Sequence, residues 1–69
     1  MNLENLEKGI LNMIEVKDCF FFDIRESEST RNFTDKEIDQ ALNNLLYHRN
    51  IRLSIKGNSL LYKFNKRKD

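Results

Sequence analysis

The sequence contains no proline, only two glycines and a single cysteine. Such a composition leaves few residues for long flexible linkers, and one cysteine cannot form an intrachain disulfide. These features favour a reducing, intracellular setting, so we expect a cytoplasmic protein. No apolar run approaches the ~20 residues that cross a membrane. The N-terminal stretch MNLENLEKGI carries acids where a signal peptide carries positive charge, so neither a membrane partner nor secretion is expected.

The residues needed for catalysis or metal binding are scarce. One histidine, His48, and one cysteine, Cys19, cannot supply the ligands of a zinc site. Cys19 lies among phenylalanines, which predicts a buried and inert thiol. His48 lies near a predicted helix end, where it can interact with the helix dipole. There is no glycine-rich phosphate loop, and we expect no enzyme activity and no cofactor.

The net charge of +1 hides a strong asymmetry along the 69 residues. Residues 1–44 hold five Lys/Arg and ten Asp/Glu, whereas residues 45–69 hold seven Lys/Arg and one acid. Such a division indicates that the C-terminal part faces a polyanion, or that a charged tail aids solubility. The length allows one small domain, which we place at residues 1–65, followed by a basic tail at residues 66–69.

The N-terminal part has one clear helical pattern and one ambiguous segment. Apolar residues recur at three- and four-residue steps from Leu3 to Ile14, which predicts a helix over about residues 2–17 with Asn2 as N-cap. Gly9 inside this helix costs ~1 kcal/mol relative to alanine. The apolar run Cys19–Phe22 that follows is either a buried strand or the start of a short helix. The polar stretch ESESTRN reads as a loop.

A second helix is predicted to begin at residue 34 or 35 and to extend to residue 49. Thr34 and Glu37 have the spacing of a capping box, and Phe33 and Ile38 have the spacing of a hydrophobic staple. Asn50 is able to end the helix in a left-handed conformation. The apolar face consists of Ile38, Ala41, Leu42, Leu45 and Leu46.

Residues 51–64, IRLSIKGNSLLYKF, alternate apolar and polar side chains on both sides of Gly57-Asn58. A two-residue turn at this pair predicts a β-hairpin. The alternation then places Ile51, Leu53 and Ile55 on one face with Phe64, Tyr62 and Leu60, and we expect this face to pack on the helices. A one-residue slip would put one apolar set on the wrong face, so the two alternations support one register. Arg52 and Lys63 oppose each other on the other face.

The stretch TDKEIDQALNNLLYHRNIRLSIKGNSLLYKF resembles the recognition helix and wing of winged helix-turn-helix domains. In that family, a helix patterned like TxxEIxxALxxLxxxxxI runs at once into a two-stranded wing. ILNMIEV resembles the first helix of the family, and CFFFDIRESEST corresponds to its short first strand or its second helix. The resemblance covers nearly the whole chain. It implies a small α+β winged-helix fold with a C-terminal two-stranded hairpin.

The resemblance also implies double-stranded DNA as partner, a role as a small transcriptional regulator, and a homodimer. Helix 34–49 and wing 51–64 would make the contacts, although acids at residues 35, 37 and 39 would be repelled by phosphate. Asn and Gln side chains can pair with adenine, and Lys and Arg neutralise phosphates. The candidate DNA-binding residues are Lys36, Gln40, Asn43, Asn44, Tyr47, Arg49, Arg52, Lys56, Asn58, Lys63, Lys66, Arg67 and Lys68.

The alternative hypothesis is a protein-interaction module without DNA binding. Small winged-helix-like proteins of viruses and plasmids modulate a host or regulatory protein in this way. Leu11 and Val16 fall off the main apolar face of the first helix, and with Phe20–Phe22 they would form a partner surface. The acidic residues 1–44 would favour a basic partner. Such binding would depend on salt only weakly, whereas phosphate contacts depend on it steeply.

Overall fold

The computed structural model describes residues 3–66 and contains three helices and a three-stranded antiparallel sheet in that range. The fold is therefore small and α+β, with the strand order β1-β3-β2 in the sheet. The elements in chain order are α1 (Leu3–Val16), β1 (Cys19–Phe20), α2 (Phe21–Arg25), α3 (Asp35–Tyr47), β2 (Ile51–Lys56) and β3 (Ser59–Phe64).

Helix α1 confirms the predicted periodicity; it ends at Val16, one residue before the predicted end, and Leu3 is the first residue that the structure describes. Leu6, Ile10 and Ile14 are fully buried, because steps of four residues place them on one face of the helix. The predicted N-cap, Asn2, lies outside the described residues. This face forms one wall of the core.

The ambiguous apolar segment forms both a strand and a helix. Cys19 and Phe20 pair with Tyr62 and Leu61 of β3. The chain then enters α2, whose first turn is held by a 3.0 Å hydrogen bond from the Phe20 amide to the Asp23 carboxylate. The prediction of a two-stranded hairpin was wrong in this respect, because this pairing adds a third strand to the sheet.

The polar stretch before α3 is a loop of turns, as predicted, but it contains a fully buried side chain. Thr30 has no solvent exposure, and its hydroxyl donates to the carbonyl oxygens of Ile24 and Ser27. The buried hydroxyl is thus satisfied within the loop, as buried polar groups must be. Thr30 therefore fixes the path of the chain from α2 to α3.

Helix α3 begins where the capping box predicted. The Glu37 amide donates to the Thr34 hydroxyl at 3.1 Å, and the Thr34 amide donates to the Glu37 carboxylate at 2.8 Å. The predicted apolar face is confirmed, with Leu46 only partly buried. Its fully buried members are Ile38, Ala41, Leu42 and Leu45.

The C-terminus of α3 differs from the prediction. The helix ends at Tyr47 rather than at residue 49, and the Asn50 amide donates to the Leu45 carbonyl while the Arg49 amide donates to Leu46. These two bonds form a Schellman motif, which requires a left-handed residue at the position before Asn50. Arg49, with φ 61°, takes that conformation, so the prediction that Asn50 would take it was wrong.

The hairpin has the predicted two-residue turn and the predicted register. Gly57 has φ 63°, as the first central residue of a type II′ turn requires. All six predicted cross-strand pairs are present: Ile51 with Phe64, Arg52 with Lys63, Leu53 with Tyr62, Ser54 with Leu61, Ile55 with Leu60, and Lys56 with Ser59.

Only the base of the hairpin packs on the helices, which corrects the expectation for its whole apolar face. Ile51 and Tyr62 are 2% and 6% exposed, whereas Leu53, Ile55 and Leu60 are 45%, 74% and 46% exposed. The physical reason is the length of the strands. Strand β1 reaches only Leu61 and Tyr62, so the half of the hairpin nearer the turn extends past the core.

Candidate nucleic-acid interface

The outer face of the sheet, defined here by Arg52 and Lys63, is the centre of the basic surface. These residues are direct cross-strand partners, and they alternate with core residues such as Ile51, so their side chains lie on the face of the sheet opposite the core. Lys63 Nζ lies 3.8 Å from the Asp18 carboxylate. Among the described residues, Arg52 forms no such ion pair, so its charge is available to an external anion.

An open cavity of about 580 Å³ lies beside this pair. Its walls come from the end of α1, the base of the hairpin and the residues after β3. Lys17 and Lys66 join Arg52 and Lys63 on its lining, together with the carboxylates of Glu15 and Asp18. Four cations against two carboxylates leave the cavity positive, and a site of this kind attracts phosphate groups. We call this cavity, with its four cationic side chains, the basic cavity.

Sequence reasoning missed Lys17 and Asp18 as members of this site. Both lie in the connection between α1 and β1, which has no local pattern of a binding loop. The pairing of β1 with β3 brings the connection next to Lys63. No signal within the segment itself predicted this, because the proximity depends on a strand pairing across more than forty residues.

The turn of the hairpin carries two further predicted residues. Lys56 and Asn58 are exposed on either side of Gly57. They lie at the far end of the hairpin from the basic cavity. A long anion such as a nucleic-acid backbone would be needed to contact both the hairpin turn and the basic cavity.

The outer face of α3 holds a second group of predicted residues. Lys36, Gln40, Asn43 and Tyr47 are all exposed. Because α3 and the sheet each turn their buried faces to the same core, this face of α3 and the outer face of the sheet point in different directions. The predicted DNA-binding residues therefore form two separate surfaces.

Two of the predicted residues use their polar groups within the protein. The Asn44 amide donates to the Glu7 carboxylate at 3.0 Å, which links α3 to α1. The carbonyl of Arg49 accepts a 2.8 Å hydrogen bond from the Asn65 side chain. The side chain of Arg49 stays exposed. Arg67 and Lys68 lie outside the described residues.

The first turns of α3 are acidic and largely engaged. Asp35 accepts from the Arg25 guanidinium at 3.3 Å, and Glu37 caps the helix. Asp39 lies on the exposed side, where the Asn43 amide approaches it at 3.5 Å. Carboxylates here stabilise the helix through its dipole, and they also make this end of α3 unfavourable for phosphate.

A groove lies between α2, β3 and α3, with a volume of about 410 Å³. Phe22 is 64% exposed at this site. Burial raises the pKa of the Tyr62 phenol, and the nearby Asp39 carboxylate raises it further. We call this the aromatic groove; its lining is Phe20, Phe21, Phe22, Asp39, Ser59, Leu60 and Tyr62.

Cys19 is buried, as predicted, and its thiol donates to the Lys17 carbonyl at 3.3 Å. Burial raises the pKa of the Cys19 thiol, with a smaller contribution from Asp23. A raised pKa disfavours the reactive thiolate. Within residues 3–66, no group of three or more His, Cys, Asp or Glu side chains is placed to hold a metal ion. No helix in that range is long and apolar enough to cross a membrane.

Comparisons with protein-family models, curated proteins and solved structures found no match to this chain.

Proposed function

We propose that the protein is a small winged-helix protein that binds double-stranded DNA through the outer face and turn of its hairpin. The observation that carries the proposal is the direct opposition of Arg52 and Lys63, with Lys17 and Lys66 around the same open cavity. Like charges placed side by side destabilise a sheet slightly. An anion bound across them turns this cost into a favourable interaction.

The order of elements supports the winged-helix part of the proposal. A short strand and a short helix follow α1, and α3 runs directly into the hairpin. These are the parts that the resemblance implies. The proposal gives the main contact to the hairpin rather than to α3, because α3 begins with Asp35, Glu37 and Asp39. Gln40 and Asn43 remain candidates for base contacts from the exposed side of α3.

The test is a fluorescence-anisotropy titration with mixed-sequence duplex DNA at two salt concentrations. If all four cations of the basic cavity contact phosphates, the log–log salt slope is about −3 to −4. The double variant Arg52→Glu with Lys63→Glu should lose binding while its thermal stability falls only slightly, because both side chains lie on the outer face and the 3.8 Å ion pair of Lys63 with Asp18 is partly exposed to solvent.

The matched control is Lys8→Glu with Arg31→Glu. This variant has the same change in net charge, and both residues are exposed outside the sheet. We expect the control to keep most of the DNA binding. Equal losses in the two double variants would show a general charge effect, and survival of binding in the hairpin variant would refute the proposed contact surface.

The aromatic groove favours a second candidate function, the binding of another protein. The exposed Phe22, with the partly buried Phe20 and Phe21 and the Asp39 carboxylate beside it, suits a partner that offers apolar and basic side chains. This function predicts no DNA binding even at low salt, and partner binding that changes little with salt. The same titration therefore separates the two candidates.

A further inference from the structure

Strand β2 forms an edge of the sheet. It pairs with β3 on one side, and no other strand of the described residues pairs with it on the other side. An edge strand presents backbone N–H and C=O groups that can pair with another chain. The strand is six residues long and contains no proline that would block such pairing.

The turn determines which backbone groups are free. Residues that flank a two-residue turn form a hydrogen-bonded pair, so Lys56 bonds to Ser59, and hydrogen bonding to β3 then recurs at every second residue. Ile51, Leu53 and Ile55 therefore direct their backbone groups away from β3. Leu53 and Ile55 are 45% and 74% exposed and are the residues through which β2 would accept a further strand, whereas Ile51 is 2% exposed and its backbone is covered.

The same edge exposes apolar side chains. Leu53 and Ile55 lie on one face of β2 with Leu60 of β3 beside them, and all three are exposed. Natural edge strands are usually protected by charges, prolines or bulges. Here the charges, Arg52 and Lys56, lie on the opposite face. The apolar face at the edge is thus unprotected.

We propose that β2 pairs with β2 of a second copy of this chain, antiparallel and with the two-fold axis at Leu53. In this arrangement Leu53 lies opposite Leu53 of the partner subunit, and Ile51 lies opposite Ile55 of the partner subunit. The exposed Leu53 then finds its backbone partners across the axis, and the exposed Ile55 of each subunit lies beside the base of the other strand. The apolar face continues from one subunit to the other, because paired residues share a face of the sheet.

Charge selects this register over its neighbours. With the axis at Leu53, Arg52 lies opposite Ser54 of the partner subunit. An axis at Arg52 would place that residue opposite its own copy, and an axis at Ser54 would place Arg52 opposite Lys56 of the partner subunit. Both alternatives oppose like charges, which destabilises a sheet. A shift by one residue in one strand would mix apolar and polar residues on each face.

The dimer would also enlarge the basic surface. A two-fold axis perpendicular to the sheet keeps both outer faces on the same side, so Arg52 and Lys63 of both subunits would face one ligand. The pairing itself does not depend on DNA binding. The experiments below therefore use the protein alone, and their failure is distinct from a failure of the proposed function.

The first experiment combines sedimentation equilibrium of the wild-type protein with oxidative cross-linking of Leu53→Cys. We expect a mass that rises with concentration from 8.3 kDa toward twice that value. In a hydrogen-bonded antiparallel pair the Cα atoms are about 5.5 Å apart, which a disulfide spans. Leu53→Cys should therefore form a covalent dimer.

Ile55→Cys is the matched control. Ile55 is more exposed than Leu53 and lies on the same face. In the proposed register the two copies of this position are about 13 Å apart, too far for a disulfide. Equal or faster cross-linking of Ile55→Cys would overturn the register. The wild-type protein, whose one cysteine is buried, gives the background rate.

A second pair of variants tests the edge without a cross-link. Leu53→Lys places like charges at the two-fold axis and should hold the protein at the monomer mass, whereas Leu53→Thr should retain the dimer. Far-ultraviolet circular dichroism of both variants checks that the hairpin is folded. A wild-type protein that stays monomeric at its highest soluble concentration, or a dimer that survives Leu53→Lys, would overturn the proposal.

Discussion

The helical part of this protein and the outer half of its hairpin use the same residue types in opposite ways. In the helices, isoleucines and leucines are buried, and Thr30 and Thr34 have their hydroxyls satisfied within the protein. In the hairpin, Leu53 and Ile55 beyond the base are exposed, and Arg52 on the outer face has no carboxylate partner among residues 3–66. Residues that fold the chain and residues that remain available to partners are thus separated in space.

The contrast shows why composition alone misleads for a chain this small. The overall apolar content suggests that every apolar residue contributes to the core. The apolar residues in the outer half of the hairpin nevertheless contribute little to it. An apolar residue stabilises the fold only if folding removes it from water. Exposed apolar residues on a short chain are better explained by a partner than by stability.

The largest expected effect is the difference in stability between alanine variants of Ile51 and Ile55, which lie on the same face of β2. Ile51→Ala should lower the free energy of unfolding by about 2–4 kcal/mol, because Ile51 is 2% exposed. Ile55→Ala should cost no more than ~1 kcal/mol through lost β-propensity, because Ile55 is 74% exposed. Urea unfolding of both variants, at a concentration at which the protein is monomeric, measures the difference in the free energy of unfolding.

If Ile51→Ala does not fold, Ile51→Val serves in its place. It removes one methylene and should cost about 1 kcal/mol, while Ile55→Val should be nearly neutral. Equal costs at the two positions would mean that the outer half of the hairpin is covered after all, and the comparison between base and outer half would fail.

The next effect concerns the helical part of the protein, at the Thr34 N-cap of α3. Thr34→Ala should lower the free energy of unfolding by roughly 1 kcal/mol, because the hydroxyl that accepts from the Glu37 amide is lost. Thr34→Ser retains the hydroxyl and should change stability little. An unchanged melting midpoint in Thr34→Ala would contradict the capping role, and a loss as large in Thr34→Ser would point to another cause.

The smallest effect concerns the two glycines, Gly9 in helix α1 and Gly57 in the hairpin turn. Gly9→Ala should raise the free energy of unfolding by about 0.5–1 kcal/mol through helix propensity. A Cβ there would lie 3.5 Å from the Ser29 Cβ, an ordinary contact. Gly57→Ala should instead lower it by ~1 kcal/mol, because Gly57 has φ 63°. The melting temperatures of the two variants should therefore shift in opposite directions. Shifts of the same sign would contradict the different conformational roles of Gly9 and Gly57.

Much of the fold follows from local patterns, and the misses have specific causes. Thr34 and Glu37 marked the start of α3, and the Gly57-Asn58 turn with its flanking alternation predicted all six pairs of the hairpin. The segment from Cys19 to Arg25 stayed ambiguous because four apolar residues fit either a strand or a helix. It became a strand where Tyr62 and Leu61 were available to pair, and a helix once Asp23 capped the Phe20 amide.

Local patterns in the sequence are enough to place the main elements, the hairpin register and the concentration of positive charge in residues 45–69. Each of these depends on residues close together in the chain, whose spacing is visible in the sequence. The tertiary structure decided the burial of Thr30, the use of Asn44 to link α3 to α1, and the meeting of Lys17 with Arg52 and Lys63. It also decided that Leu53 and Ile55 stay exposed. These outcomes depend on where the layers of helices and strands end relative to one another, and no periodicity within a single segment contains that information.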